Sequence, residues 1–169
     1  MLSWLFKRSL AGKHAPDITG QKWLNETALP EAVRGKVTRG EPLNIKQDLA
    51  GYVVLVDFWD YDCIHCINAM PHLRDWWQKY KDRKFVIIGV HTPEFEFAKD
   101  PEKVESAVLR FDLNYPVVSD PDYTTWERYR TKEWPRELII DSQGVVRYDY
   151  TGEGDYEKKE EVIQSLLKI

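Results

Sequence analysis

Two continuous apolar runs dominate the hydrophobic pattern of this chain. The first covers residues 52–59 and the second residues 85–90, and both are rich in β-branched and aromatic side chains. A strand that is buried on both faces gives such an unbroken run, whereas a strand with one wet face alternates apolar and polar positions. The two runs therefore predict central strands of a sheet.

Three other segments repeat apolar side chains at the spacing of a helix. They extend from about Cys63 to Tyr80, over residues 101–111 behind an acidic first turn, and over residues 156–167. Pro71 lies inside the first of these segments and should kink that helix, because proline has no amide hydrogen to donate.

Shorter elements complete the pattern. Residues 115–118 predict a short strand and residues 123–129 a short helix, while residues 137–141 and 145–151 predict a hairpin around Ser142-Gln143-Gly144. Strands and helices thus alternate along most of the chain, which predicts an α/β sheet with helices on both faces.

The region before the first apolar run has a different character. Residues 17–51 are rich in glycine and proline and predict an N-terminal extension with short strands near 18–23 and 36–39. Residues 1–16 carry no firm pattern. We therefore divide the chain into a segment of unclear role over 1–16 and a single domain over 17–169.

Charge and length narrow the class of protein. The chain has 169 residues and a net charge of −4, from 28 acidic and 24 basic side chains. This balance gives no reason to expect binding to nucleic acid or to an anionic membrane. The length suffices for a sizeable core, and we expect a monomer.

The N-terminus bears on localisation. Its first eight residues run from apolar to basic, the reverse of a secretory signal, and an amphipathic surface segment around Trp4–Leu10 is one interpretation. No stretch approaches the ~20 apolar residues of a membrane-spanning helix. The chain as given is thus expected in the cytoplasm. If a targeting segment has been removed, the alternative is an extracytoplasmic or membrane-associated location.

The only two cysteines form the motif Cys63-Ile64-His65-Cys66, where the first apolar run gives way to a helix. Backbone N–H groups and the helix dipole favour a thiolate there, so Cys63 is the expected nucleophile and Cys66 the resolving thiol. His65 would stabilise this thiolate and raise the reduction potential, whereas Asp60 and Asp62 would act against it. Asp62 is equally well explained as the N-cap of the helix.

Two other uses of the cysteine pair fit the sequence less well. A zinc site needs four ligands, but only His65 and His72 lie nearby and there is no second cysteine pair. A purely structural bridge across so short a loop would restrict the unfolded chain little. We therefore expect no metal and no cofactor other than a redox-active disulfide.

Asp57 is the one acid inside the first apolar run, six residues before Cys63. A buried carboxyl group needs a partner or a raised pKa. It could accept a proton, through water, from Cys66 when that thiol attacks a mixed disulfide. A solvent-facing aspartate on an edge strand is the alternative interpretation.

The apolar run, the cysteine motif and Pro71 together resemble the thioredoxin superfamily. Further motifs make the chain similar to the TlpA- and DipZ-type thioredoxin-like proteins and to the thioredoxin-like domain of NHL-repeat-containing proteins. These motifs are Trp23-Leu24-Asn25, Ile88-Gly89-Val90-His91-Thr92-Pro93-Glu94-Phe95, Glu133-Trp134-Pro135 and Tyr150-Thr151-Gly152-Glu153-Gly154-Asp155-Tyr156. The resemblance covers residues 17–167.

The resemblance implies a thioredoxin-like fold, with a central mixed sheet, helices on both faces and an N-terminal extension. It places the family's cis-proline at Pro135, beside the cysteine pair, and leaves the backbone of Trp134 free to pair with an extended substrate segment. It also places the family's buried acid at Asp57 and its strand-end tryptophan at Trp59, where we expect it, with Trp134 and Pro135, to contact substrate.

Three positions depart from the pattern of the resembling proteins. Asp62 stands where many thioredoxins have tryptophan, and Ala69 stands where the cytochrome-maturation branch has glutamate. His65 replaces the asparagine usual in the nearest of these relatives and resembles the motifs of oxidases and isomerases. The specialised cytochrome-maturation role is therefore not assigned, and a moderately oxidising pair is expected.

The function implied is thiol–disulfide exchange with protein thiols or disulfides, supported by an upstream electron donor or acceptor protein. A thiol peroxidase is one alternative, although such sites want Thr or Ser and a Pro before the reactive cysteine, and Asp60-Tyr61-Asp62 stands there. A non-catalytic thioredoxin-like binding module is the other. The direction of electron flow depends on partners that the sequence does not reveal.

Overall fold

The computed structural model describes residues 9–169 and is built around a six-stranded sheet. Its strands are β1 (Lys22–Leu24), β2 (Val53–Trp59), β3 (Phe85–His91), β4 (Val117–Ser119), β5 (Arg136–Ile140) and β6 (Val146–Thr151). Their order across the sheet is β1-β4-β3-β2-β5-β6. Strand β3 runs parallel to β2 and β4, whereas the pairs β1–β4, β2–β5 and β5–β6 are antiparallel. The sheet is therefore mixed, as expected.

Helices cover both faces of this sheet. They are α1 (Glu31–Thr38), α2 (Ile45–Asp48), α3 (Ile64–Tyr80), α4 (Pro101–Arg110), α5 (Thr124–Arg128) and α6 (Tyr156–Leu167), with 3₁₀ turns at Glu26–Ala28 and Glu96–Lys99. One core cluster joins the sheet to α3, α4 and α6, and a second joins the opposite face to α1, α2 and α5. Within residues 9–169, no helix is long and apolar enough to cross a membrane.

Strand β2 shows why the apolar runs are continuous. Val53, Leu55 and Trp59 face the α3 side, whereas Val54, Val56 and Phe58 face the other side. Every residue of β2 and β3 is buried, because helices cover both faces. The predicted long helices, the hairpin and the C-terminal helix are confirmed, and α3 continues through Pro71.

The prediction of a strand near residues 36–39 is wrong, because residues 31–38 form α1. Val33 and Val37 lie one helical turn apart and are both buried, which is the pattern of an amphipathic helix. Pro30 precedes this helix at a position where no amide hydrogen is needed. The glycine- and proline-rich composition of the region concealed this short helical stripe.

The strand predicted near residues 18–23 is observed as β1, which is shorter than predicted and begins only at Lys22. Ile18 makes an isolated bridge to Leu43, and Gly20 then passes directly against β4. A Cβ atom on Gly20 would lie 2.2 Å from Val118 Cγ2, so only glycine allows this approach.

Part of the N-terminal segment lies along strand β6. The amide of Gly12 donates to the carbonyl of Val146 at 2.8 Å, and Ala15 donates to Gly144 at 2.9 Å. Leu10 is buried in the second core cluster. Residues 4–8 of the amphipathic segment predicted around Trp4–Leu10 lie outside the described residues.

Candidate redox site

The two cysteines lie where β2 passes into α3. After Trp59 the chain turns through residues 60–62, and the amide of Cys63 donates to the carbonyl of Asp60 at 3.2 Å. The sulfur atoms of Cys63 and Cys66 form a disulfide, with the two Cα atoms 5.2 Å apart. The buried strand thus delivers the disulfide to the first turn of a helix.

Cys63, and not Asp62, is the N-cap of α3. Its backbone is extended and its Sγ accepts a hydrogen bond from the amide of Cys66 at 3.2 Å. A sulfur at this position faces the free N–H groups and the positive dipole end of the helix, which favour a thiolate there. Cys63 is partly exposed, whereas Cys66 is only 2% exposed.

His65 points away from the sheet and reaches an acidic side chain. Its Nδ1 lies 2.8 Å from Glu153 Oε2, and Asn68 donates to the same oxygen at 3.4 Å. Both hydrogen bonds lower the pKa of the Glu153 carboxyl group. His65 and Glu153 therefore join α3 to the loop after β6 through an exposed hydrogen bond.

Asp60 and His91 form a buried pair next to the disulfide turn. Asp60 Oδ1 lies 3.0 Å from His91 Nε2, and its other oxygen accepts the amide of Glu94 at 2.9 Å. Burial raises the pKa of Asp60, but the hydrogen bonds from His91 and Glu94 outweigh it, so the pKa lies below its ordinary value. Tyr61 stacks on the other side of the imidazole, with 5.4 Å between ring centroids. The pair ties the disulfide turn to the loop after β3.

The peptide bond between Trp134 and Pro135 is cis, as the resemblance implied. Trp134 Nε1 donates to the carbonyl of Thr92 at 2.8 Å, which joins this loop to the one that follows His91. Within residues 9–169, the main-chain N–H and C=O of Trp134 make no backbone hydrogen bond.

The tryptophans divide between the core and the site. Trp76 and Trp77 are buried in the core. Trp126 and Trp134 lie against one another, with 4.2 Å between ring centroids. Trp59, expected to contact substrate, is only 1% exposed and sets its ring edge against His91, so it supports the site from beneath.

Asp57 is buried on the sheet face that carries Cys66 and Trp59 in one core cluster. It is 3% exposed, which excludes the solvent-facing alternative. Burial raises its pKa well above the ordinary value, and the negative charge of Glu137 raises it further, while Lys159 lowers it. Tyr115, whose hydroxyl pKa is raised by burial and by Asp57, lies nearby.

Glu137 and Lys159 are site residues that the sequence interpretation missed. Glu137 Oε2 lies 2.7 Å from Lys159 Nζ, and the two side chains are 1% and 0% exposed. One signal was present, because Lys159 stands between Tyr156 and Ile163 on the apolar face of the last helix. A lysine on a buried stripe requires an anionic partner.

Among residues 9–169, no three His, Cys, Asp or Glu side chains are grouped closely enough to hold a metal ion.

Comparison with known proteins finds relatives that carry the same domain. The chain is 42% identical over 154 residues to the protein DipZ of Mycobacterium bovis, covering 90% of this chain and 20% of DipZ. It is 27% identical over 153 residues to the thiol-disulfide oxidoreductase YkuV of Bacillus subtilis, covering 90% of this chain and 93% of that protein. The chain thus spans about a fifth of the length of DipZ.

Solved structures show the same fold. The crystal structure of a thiol-disulfide isomerase from Corynebacterium glutamicum superimposes with a TM-score of 0.73 at 24% identity, covering 92% of this chain and 97% of that one. The thioredoxin-like fold implied by the sequence motifs is thereby confirmed. The model of the AhpC/TSA family matches residues 11–149, and the chain belongs to that family.

Proposed function

We propose that this chain is a thiol–disulfide oxidoreductase that exchanges disulfides with protein substrates through Cys63 and Cys66. The observation that carries this proposal is the disulfide on the first turn of α3, with one sulfur partly exposed and the other buried. A pair of this form supplies both thiols that a two-step exchange requires.

In the reducing direction, the thiolate of Cys63 attacks one sulfur of a substrate disulfide. The substrate S–S bond breaks, and its second sulfur leaves as a thiolate with the electron pair. Cys66 then loses its proton and attacks Cys63 Sγ, so the mixed disulfide breaks and the first substrate sulfur leaves. Two electrons pass to the substrate, and a dithiol protein partner then reduces the Cys63–Cys66 disulfide again. The oxidising direction is the same sequence in reverse.

Asp57 is proposed as the group that exchanges a proton with Cys66, directly or through a water molecule. Its support is its burial on the sheet face that Cys66 packs against. A buried carboxyl group with a raised pKa can hold or release a proton near neutral pH.

The substrate segment is proposed to lie beside the Trp134–Pro135 peptide bond. The main-chain groups of Trp134 have no backbone partner within residues 9–169, so an extended polypeptide can pair with them. Trp126 packs against Trp134 and would stiffen this side of the proposed substrate-binding surface.

His65 is proposed to favour the thiolate and so raise the reduction potential, with Glu153 as its charge partner. Equilibration with glutathione measures that potential, and a strongly reducing value would count against this role of His65. The proposal includes a monomer acting in the cytoplasm. For a domain that forms part of a longer, anchored protein, the compartment would instead lie outside the cytoplasm.

A trapping experiment tests the activity. Cys66→Ser keeps the attacking sulfur and removes the resolving one, so on reaction with disulfide-containing proteins it should accumulate mixed disulfides, which dithiothreitol cleaves. Cys63→Ser is the matched control, because its remaining sulfur is the buried one, and it should trap little. Equal trapping by both variants, or none by Cys66→Ser, would contradict the proposal.

The two alternative functions give different results in the same series. A thiol peroxidase would consume hydrogen peroxide at a rate that depends on Cys63, whereas the proposed enzyme turns over disulfides in preference. A binding module would retain its partners in the variant that carries both Cys63→Ala and Cys66→Ala.

A further inference from the structure

Three buried charged side chains meet on the sheet face behind the disulfide. Asp57 and Glu137 stand directly opposite one another on β2 and β5, which places both carboxyl groups on the same face. Lys159 reaches them from α6, with its Nζ 2.7 Å from Glu137 Oε2. We call these three residues the charge cluster.

The charge cluster is unbalanced when all its members are ionised. Two carboxylates and one ammonium group sum to a single negative charge, and burial of a net charge is strongly unfavourable. The imbalance is relieved when one carboxyl group binds a proton. Asp57 Oδ1 and both Glu137 oxygens have no hydrogen bond of good geometry within residues 9–169, but Glu137 Oε2 lies 2.7 Å from the Lys159 ammonium group, so the two carboxyl groups are not equivalent.

We propose that the Glu137–Lys159 ion pair decides which carboxyl group carries the proton of the charge cluster, and that it assigns this proton to Asp57. The inference deepens the proposed function and rests on it. Glu137 and Lys159 are thus positioning residues, which act on Cys66 only through Asp57.

The consequence for disulfide exchange is a proton held ready at Asp57. When a substrate thiolate attacks Cys63 Sγ, the Cys63–Cys66 bond breaks and its electron pair passes to Cys66 Sγ. The Cys66 thiolate then takes the proton from Asp57, which becomes a carboxylate. In the reverse step the carboxylate takes the proton back, and the Cys66 thiolate attacks Cys63 Sγ.

The other groups around Asp57 are mostly uncharged. On the neighbouring strand β3, Gly89 pairs with it and has no side chain. Among the described residues, the polar or charged groups that face the cluster from other elements are the Tyr115 hydroxyl, Tyr148 and Tyr150 from β6, Tyr156 from α6, and Arg74 from α3, which acts on Tyr115. Lys159 Nζ lies 4.6 Å from the centre of the Tyr150 ring and 5.2 Å from that of Tyr156. These rings fix the position of the cation without adding a formal charge.

Counting buried protonated carboxyl groups tests the proposal directly. Near pH 7, exposed acids are ionised, so an infrared carbonyl band of a protonated acid reports only buried groups. The oxidised wild-type protein should show one such group, and Asp57→Asn should remove it. Glu137→Gln leaves Lys159 to pair with Asp57, so the band should be lost. Lys159→Met leaves two carboxyl groups without a cation, so the band should about double.

Three further variants guard against misfolding and nonspecific effects. Glu137→Gln combined with Lys159→Met removes the ion pair and leaves no lone buried charge, so this double variant should fold and keep one protonated group on Asp57. Glu137→Gln combined with Asp57→Asn should leave none. Lys158→Met changes the exposed lysine next to Lys159 and should leave the band unchanged.

Exchange kinetics supply a readout that a merely structural role would not move. Reaction of the reduced protein with the aromatic disulfide 5,5′-dithiobis(2-nitrobenzoate) releases one coloured thiolate on attack by Cys63 and a second on attack by Cys66. The pH midpoint of the second release should fall by about one unit in Glu137→Gln, which is a tenfold change in the acid–base ratio at fixed pH. In Lys159→Met it should rise.

The outcomes separate the inference from the function on which it rests. A band that persists in Asp57→Asn, or that is unchanged in both Glu137→Gln and Lys159→Met, would overturn the proton assignment. Midpoints that move in the same direction in the two variants would overturn the effect on Cys66. If the wild-type protein released no thiolate at all, the proposed function would fail, while the band count would still decide the proton assignment.

Discussion

Replacement of Asp60 with asparagine should destabilise the oxidised protein, because this carboxylate holds two donors in a fully buried position. Asp60 is 0% exposed and accepts from His91 Nε2 at 3.0 Å and from the amide of Glu94 at 2.9 Å. Since an ionised carboxylate can only accept, His91 Nε2 must carry the hydrogen. An asparagine side chain has one acceptor oxygen, so with the hydrogen on His91 Nε2 it can keep only one of these hydrogen bonds.

The size of the destabilisation follows from the one hydrogen bond to Asp60 that is lost. A hydrogen bond to a charged group contributes about 1.5–3 kcal/mol, and the unsatisfied donor remains buried. We therefore expect the free energy of unfolding to fall by about 1.5–3 kcal/mol, which corresponds to a decrease of roughly 3–12 °C in Tm for a chain of this size. The matched control is Asp62→Asn, an exposed carboxylate two residues along, which should change stability by less than about 0.5 kcal/mol.

The stability difference between the wild-type protein and Asp60→Asn should depend on pH, in a direction set by the pKa of Asp60. The pKa of Asp60 is lowered in the folded protein from the ordinary value of 3.8, so its contribution is fully present above that value. The contribution is lost as the pH falls through the lowered pKa. Urea unfolding of both proteins from neutral to acidic pH should therefore show a stability difference that shrinks at acidic pH. A difference that stays constant over this range would refute the assignment of the effect to the Asp60 charge.

Two further substitutions test the packing around the site. Arg136→Met should lower the free energy of unfolding by about 3–5 kcal/mol in urea titration, because it leaves the buried carboxylate of Asp149 without its cationic partner. In the wild-type protein Arg136 donates two hydrogen bonds to this carboxylate, at 2.8 and 2.9 Å. A loss below about 1 kcal/mol would show that this buried pair contributes little. Gly89→Ala should cost about 1–3 kcal/mol in calorimetry, since its Cβ would lie 3.0 Å from Trp59 Nε1 and 3.2 Å from Val117 Cγ2. An unchanged Tm would show that these neighbours give way freely.

The parts of the fold that depend on local pattern could be predicted from the sequence. Strands β2 and β3 are buried on both faces, so nearly every position is apolar, with Asp57 and His91 as the exceptions. Helix α6 matches its predicted bounds because its stripe is long and regular. Helix α1 was missed, since eight residues with only two buried valines give a weak stripe among many glycines and prolines.

The contacts within the site could be predicted only in part. The cysteine pair and Asp57 are visible because each is an exception to a local pattern. The partnership of Asp60 with His91 depends instead on the register of β2 and β3, which sets Trp59 opposite His91. The partnership of Glu137 with Lys159 depends on how α6 packs on the sheet, across 21 intervening residues. Buried polar pairs of this kind are settled by tertiary packing.

The N-cap of α3 has a thermodynamic consequence. Cys63 Sγ accepts the amide of Cys66, so the atom that exchanges electrons also closes the first turn of the helix. Oxidation of the cysteine pair and folding of this helical turn are therefore coupled in one thermodynamic cycle. Any difference in how a thiolate and a disulfide sulfur hold that turn appears both as unequal stability of the two redox forms and as a shift in potential. The conversion is about 1.4 kcal/mol for each 30 mV. A mutation that loosens this turn in only one of the two forms, with no change at either sulfur, would thus move the reduction potential by a calculable amount.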